Sequence, residues 1–241
     1  MTIGSTHNRR QFLGGVATGS SLLLASCSQN PSTTAKQENP VKEEHEEEVS
    51  PAEDLMREHG VLKRVLLIYR EGIRRIDAKQ EVPPEVLSSS ANLIRKFIED
   101  YHEKLEEEHL FPRFRKAGRL VELVNTLEEQ HKRGGTLTET ILQLSASASS
   151  GKGSQDALKL KGALQAFVRM YEPHEAREDT ELFPEFRKIV SSHEYDALGE
   201  DFEKKEHELF GEDGFDRNVA DVARLEQVLG IYDLAQFTPP A

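Results

Sequence analysis

The chain has no tryptophan, three methionines and one cysteine among its 241 residues. A single cysteine excludes a disulfide within the chain. Positive charge is also scarce: 31 Lys and Arg face 43 Asp and Glu, for a net charge of −12. Nothing resembles the basic groove that a phosphate backbone requires, so no nucleic-acid partner is expected. There is no nucleophilic triad, phosphate loop or flavin motif either. Long apolar runs are missing too. The stretch from Phe12 to Ser26 is too short and too polar to span a membrane, which takes about 20 apolar residues. What is present is charge, 31% of all residues, with 37% hydrophobic content. That balance suits long solvated helices and allows one ordinary domain with appendages.

The first fifty residues stand apart. "NRRQFLGGVATGSSLLLASC" carries paired arginines (Arg9, Arg10), a weakly apolar stretch and a small-residue end. Residues 1–26 are therefore expected to be a twin-arginine-type export signal. "LASC" looks like a bacterial lipobox, which would make Cys27 the lipidated first residue of an envelope protein. The alternative is a secreted chain without lipid. Residues 27–51 end in "KEEHEEEV", lack apolar periodicity and read as a solvated acidic linker, His45 included.

Beyond Pro51 apolar residues recur at helical spacing. One stripe runs through Leu55, His59, Leu62, Val65, Leu66 and Ile73, and a second helix is expected over residues 84–116. A third helix spans about 120–148 and a fourth about 155–190. Short Gly- and Pro-rich joins predict an all-α, up-down-up-down four-helix bundle with short extra C-terminal helices. No stretch reads as a strand.

Two of these helices carry one string. "HEKLEEEHLFPRF" at 102–114 and "HEAREDTELFPEF" at 174–186 stand 72 residues apart. The same offset takes His59 to His131, His102 to His174 and Glu106 to Glu178. The bundle should thus be two copies of one helical hairpin about a pseudo-twofold axis. In each copy the first helix offers one His and the second offers His-x-x-x-Glu, whose members point the same way. Four imidazoles and two carboxylates then converge. Buried carboxylates are costly unless paired or bound to a cation, which makes these six residues candidate metal ligands. Any one of the histidines alone would read as a packed core residue. The repeat reverses that reading.

Together with "REHGVLKRVL" around His59 and "EEQHKR" around His131, these strings make residues 52–210 resemble the hemerythrin family, also called HHE cation-binding domains. Residues 211–241 would be a C-terminal extension. The resemblance implies an oxo- or hydroxo-bridged di-iron centre, with manganese or zinc as other occupants. His59 and His102 would hold one iron, His131 and His174 the other, with Glu106 and Glu178 bridging. Oxygen carriers of the family place a fifth His one turn after the ligand matching His131, where this chain has Gly135. The sixth position of each metal would then be open, or filled by Glu103 or Glu175, the acids next to the ligating histidines. Tyr101 and Tyr171 fall near the ligands, either as hydrogen-bond donors or as core. The Leu-Phe-Pro triplets read as hydrophobic plugs, His109 as a helix-surface residue and His207 as lacking a repeat mate.

Three functions follow from this reading. The first is a di-iron protein that takes up oxygen, nitric oxide or peroxide for sensing, scavenging or storage, with an unidentified redox partner. The second is an oxidase, or a peroxide or nitric oxide reductase, built on the same centre. The third is a metal-free structural envelope lipoprotein.

Overall fold

Ser50 opens the first helix. Its hydroxyl accepts from the Glu53 amide at 3.3 Å, and Pro51 takes the first helical position, where a missing N–H leaves nothing unpaired. The computed structural model describes residues 49–148 and 155–240, and every α, π or 3₁₀ element among them is helical, with no strand. Arg9, Arg10, Cys27 and His45 lie outside the described residues.

Helix α1 (Pro51–Asp77) has Glu53 and Asp54 in its first turn and Arg74 and Arg75 in its last, complementing the helix dipole. It buries Leu55, His59, Leu62, Leu66 and Tyr69 on one face. The next stretch begins with α2 (Pro84–Leu93) and continues through a π segment (Ile94–His102), α3 (Glu103–Leu105), a second π segment (Glu106–Leu110) and α4 (Phe111–Ala117). Gly118, at φ +64°, closes it in the left-handed conformation that a glycine adopts without penalty. Helix α5 (Val121–Ala148) follows, then α6 (Gln155–Arg177), a third π segment (Glu178–Leu182) and α7 (Phe183–Ile189). The chain ends with α8 (Ser192–Phe210), α9 (Gly214–Leu229) and a 3₁₀ turn (Leu234–Phe237).

The π segments at Glu106 and Glu178 have a local cause. Pro112 and Pro184 lack the N–H that an α-ladder needs. The residues just before them, Phe111 and Phe183, instead donate back five positions to the carbonyls of Glu106 and Glu178. The helix is therefore widened at both candidate carboxylates, in the way π-bulges often are at functional positions.

Helix α1 packs on α6, α2 on α5, and α5 on α6. Between them lie buried Val65, Ile98, Leu127, Leu164 and Phe167. The residues expected as a C-terminal extension supply α9, which packs on α1 and α2. Arg64 on α1 ties it down, donating from Nε to both carboxylate oxygens of Glu226 at 3.1 Å. With 19 and 16 residues, α8 and α9 are longer than the short extra helices expected. Tyr195, Leu198 and Phe202 in α8, and Val222 and Leu229 in α9, recur at helical spacing and bury a full stripe in each. None of the described helices is long and apolar enough to cross a membrane.

Candidate metal centre

Each of the six candidate ligands is buried, and they come from four helical stretches. His59 projects from the middle of α1 and His131 from α5. His102 ends the first π segment, and Glu106 opens the second. His174 lies in the last turn of α6, and Glu178 opens the third π segment. Two groups result: His59, His102 and Glu106 have ligand atoms within 4.8 Å of one another, and so do His131, His174 and Glu178.

The carboxylates join the two groups. Glu178 Oε2 lies 3.3 Å from His59 Nε2 and 3.1 Å from His174 Nε2. Glu106 is 3.8 Å from His102 Nε2 through Oε1 and 3.5 Å from His131 Nε2 through Oε2. Each carboxylate therefore faces one imidazole of either pair, as a bridge between two cations would.

Every imidazole is aimed from behind. Nδ1 of His59 meets Asp179 Oδ1 at 2.7 Å, and that of His102 meets Glu58 Oε2 at 2.8 Å. Nδ1 of His131 meets Glu107 Oε1 at 3.1 Å, and that of His174 meets Gln130 Oε1 at 2.8 Å. With acceptors on all four Nδ1 atoms, an N–H sits there, and in the neutral ring Nε2 then turns its lone pair inward, the usual arrangement behind metal-binding histidines. Phe183 stacks on His59 and Phe111 on His131, with ring centroids 5.6 and 5.5 Å apart. The Leu-Phe-Pro triplets thus plug the site by covering its imidazoles.

The charges behave as those of a cavity made for a cation. Burial, and next the charge of Glu178, push Glu106 well above the usual carboxylate range. Burial opposes ionisation of Glu178 too, yet the charges of His174 and His59 hold it well below that range. Burial alone would depress His59, but Asp179 and Glu178 raise it to about 9. Burial and the charge of His59 keep His102 well below its ordinary value. Both oxygens of Glu106, both of Glu178 and Nε2 of His131 are buried without a hydrogen-bond partner. Orphaned buried acceptors of this kind are expensive unless something absent from the protein satisfies them, and a pair of divalent or trivalent cations fits.

The residues around this centre divide. Glu103 accepts from the Tyr171 hydroxyl at 2.7 Å, and Glu175 pairs with Lys63 Nζ at 2.9 Å. Neither belongs to the two His and Glu groups. Tyr101 packs against Phe97 and Phe210. Gly135 is half-buried, with Glu99 Oε2 at 3.9 Å from where a Cβ would stand. His109 is half-buried beside Phe202, and His207 is exposed.

Sequence reasoning missed Glu58, Asp179, Glu107 and Gln130, although the repeat carried the signal. The 72-residue offset pairs Glu107 with Asp179 and Glu58 with Gln130, acceptor with acceptor. Also missed was a second carboxylate group, Asp54, Glu58 and Glu206, whose oxygens lie within 4.8 Å of one another. Glu206 comes from α8, outside the repeat, and nothing local marks it.

A helical protein that gathers imidazoles and carboxylates around buried unsatisfied acceptors is of the cation-binding class. A hemerythrin HHE cation-binding domain model matches residues 50–149, which include His59, His102, Glu106 and His131. Over those residues the chain carries a hemerythrin HHE cation-binding domain. It is 47% identical over 233 residues to the uncharacterized protein Rv1995 of Mycobacterium tuberculosis, covering 96% of this chain and 91% of the relative. The same figures hold for the uncharacterized protein Mb2018 of Mycobacterium bovis. No solved structure matches.

Proposed function

We propose that this protein is a di-iron binding protein that takes up oxygen, nitric oxide or peroxide, in an up-down-up-down bundle of two repeated hairpins. His59, His102 and Glu106 on one side, and His131, His174 and Glu178 on the other, would hold the two irons. The observation that carries the reading is the placement of each bridging carboxylate between imidazoles of both pairs. When bound, the irons supply Lewis acidity and reversible one-electron chemistry.

The chain's own groups do the rest. Asp179, Glu58, Glu107 and Gln130 fix the imidazole tautomers, so that all four Nε2 atoms are donors to the centre. Phe111 and Phe183 exclude water from one side of the rings. In the metal-free protein burial and the charge of Glu178 disfavour the ionised form of Glu106, a cost that a bound cation would offset.

We also propose that residues 1–26 direct export by the twin-arginine route and that lipid on Cys27 anchors the mature chain to the membrane. An export route that carries folded proteins suits a site loaded before crossing.

Metal analysis of the purified chain tests the central reading. Two irons per chain are expected, falling to background when Glu106 and Glu178 are both replaced by Gln. A purified, folded chain that takes up neither iron nor zinc would leave the structural-lipoprotein reading. Sustained consumption of peroxide or nitric oxide with a reductant would move the reading from binding protein to reductase.

A further inference from the structure

The two halves of the centre are built to one plan, with a carboxyl exchanged for an amide at one place behind the imidazoles. His59 and His102 are each backed by a carboxylate, Asp179 and Glu58. Of the other pair, His131 has the Glu107 carboxylate, but His174 has the neutral amide oxygen of Gln130. Glu58 and Gln130 occupy the same place in the repeat, 72 residues apart and each just before a ligand of the first helix.

Their surroundings sharpen the contrast. Glu58 is fully buried and lies within 4.8 Å of the carboxylates of Asp54 and Glu206. Gln130 is half-buried, and the repeat mate of Asp54 is Thr126, which is exposed. Carboxyl groups are therefore concentrated behind His102, whereas the acceptor behind His174 is a neutral amide. An anionic acceptor on Nδ1–H pushes electron density to Nε2 and makes the ring a stronger donor to a cation, whereas an amide does this far less.

We infer that the two metal positions are unequal, tight at His59 and His102 and weaker at His131 and His174, and that Glu58 against Gln130 sets the order. The inference rests on the dimetal reading above. The protein then keeps one cation and exchanges the other.

The test is a Co(II) titration of the metal-free full chain in competition with a chelator, followed by visible absorption and calorimetry. Two steps are expected, separated by about 10–100-fold in affinity, the range that loss of such a backing partner produces. Glu58→Gln should weaken the tight step and bring the two together. Gln130→Glu should strengthen the weak step, a gain that damage to the fold cannot produce. Equal steps in the parent chain, or a separation that neither substitution moves, overturn the inference and leave the dimetal reading standing. Failure to bind any Co(II) overturns both.

Discussion

The hydroxyl of Tyr171 lies where a side chain at residue 134 would begin, closer to an ideal Cβ on Gly134 than any two such atoms can stand. Only a glycine admits it. Tyr171 then donates to Glu103 and sets its ring 5.3 Å from that of His174. The glycine pair in "HKRGG" therefore has two meanings: Gly134 makes room for a tyrosine, and Gly135 leaves the position one turn beyond His131 without a side chain.

Gly134→Ala should drive Tyr171 from its place and destabilise the fold by about 1–3 kcal/mol, as overpacking of a tight core does. Thermal or urea melts of the metal-free chain measure it. Tyr171→Phe in the same background should recover part of the loss, because it removes the atom nearest to the new methyl group. Additive effects of the two substitutions would show that the hydroxyl is not the obstacle.

Gly135→His should be accepted sterically, since the nearest atom to its Cβ is 3.9 Å away. Replacing a glycine inside α5 should stabilise the metal-free chain by up to about 1 kcal/mol. With iron loaded, an imidazole one turn from His131 should fill an open position, slow autoxidation and prolong any oxygen adduct. Stopped-flow spectra in air, compared with those of the parent chain at full loading, decide it. Identical rates would mean that the side chain turns toward Glu99 and away from the metals.

His59 couples stability to pH. Its pKa in the metal-free fold is raised from 6.5 to about 9. The imidazolium's contribution is therefore fully present below pH 6.5 and is lost as pH rises through 9, on the order of 3 kcal/mol in all. A bound cation has the opposite preference, because it requires the neutral ring. The rise in melting temperature caused by Zn(II) should thus be small at pH 6 and grow toward pH 9. Paired melts with and without metal measure it, and an increment that shrinks with pH would contradict the assignment of His59 as a ligand.

Cys27→Ala should release the protein from the membrane fraction into the soluble extracellular or periplasmic fraction. None of the described helices offers a span, so lipid is the anchor proposed. Unchanged membrane attachment of the variant removes the lipoprotein reading without touching the metal centre.

By itself the sequence determined the helical class, the rough extent of the helical stretches from Pro51 to about residue 190, and six side chains that the structure brings together. The reason is locality: helical periodicity and the His-x-x-x-Glu spacing place neighbours within one turn, and a constant offset of 72 residues copies that placement from one hairpin to the other. Only the tertiary structure decided what stands behind the candidate ligands. Asp179 reaches His59 across 120 residues, Glu58 reaches His102 across 44, and Glu206 arrives from a helix outside the repeat. Tyr171 fills the space over Gly134 because α5 and α6 pack closely there. Such contacts depend on how helices cross and rotate, which the spacing of residues along one chain does not express.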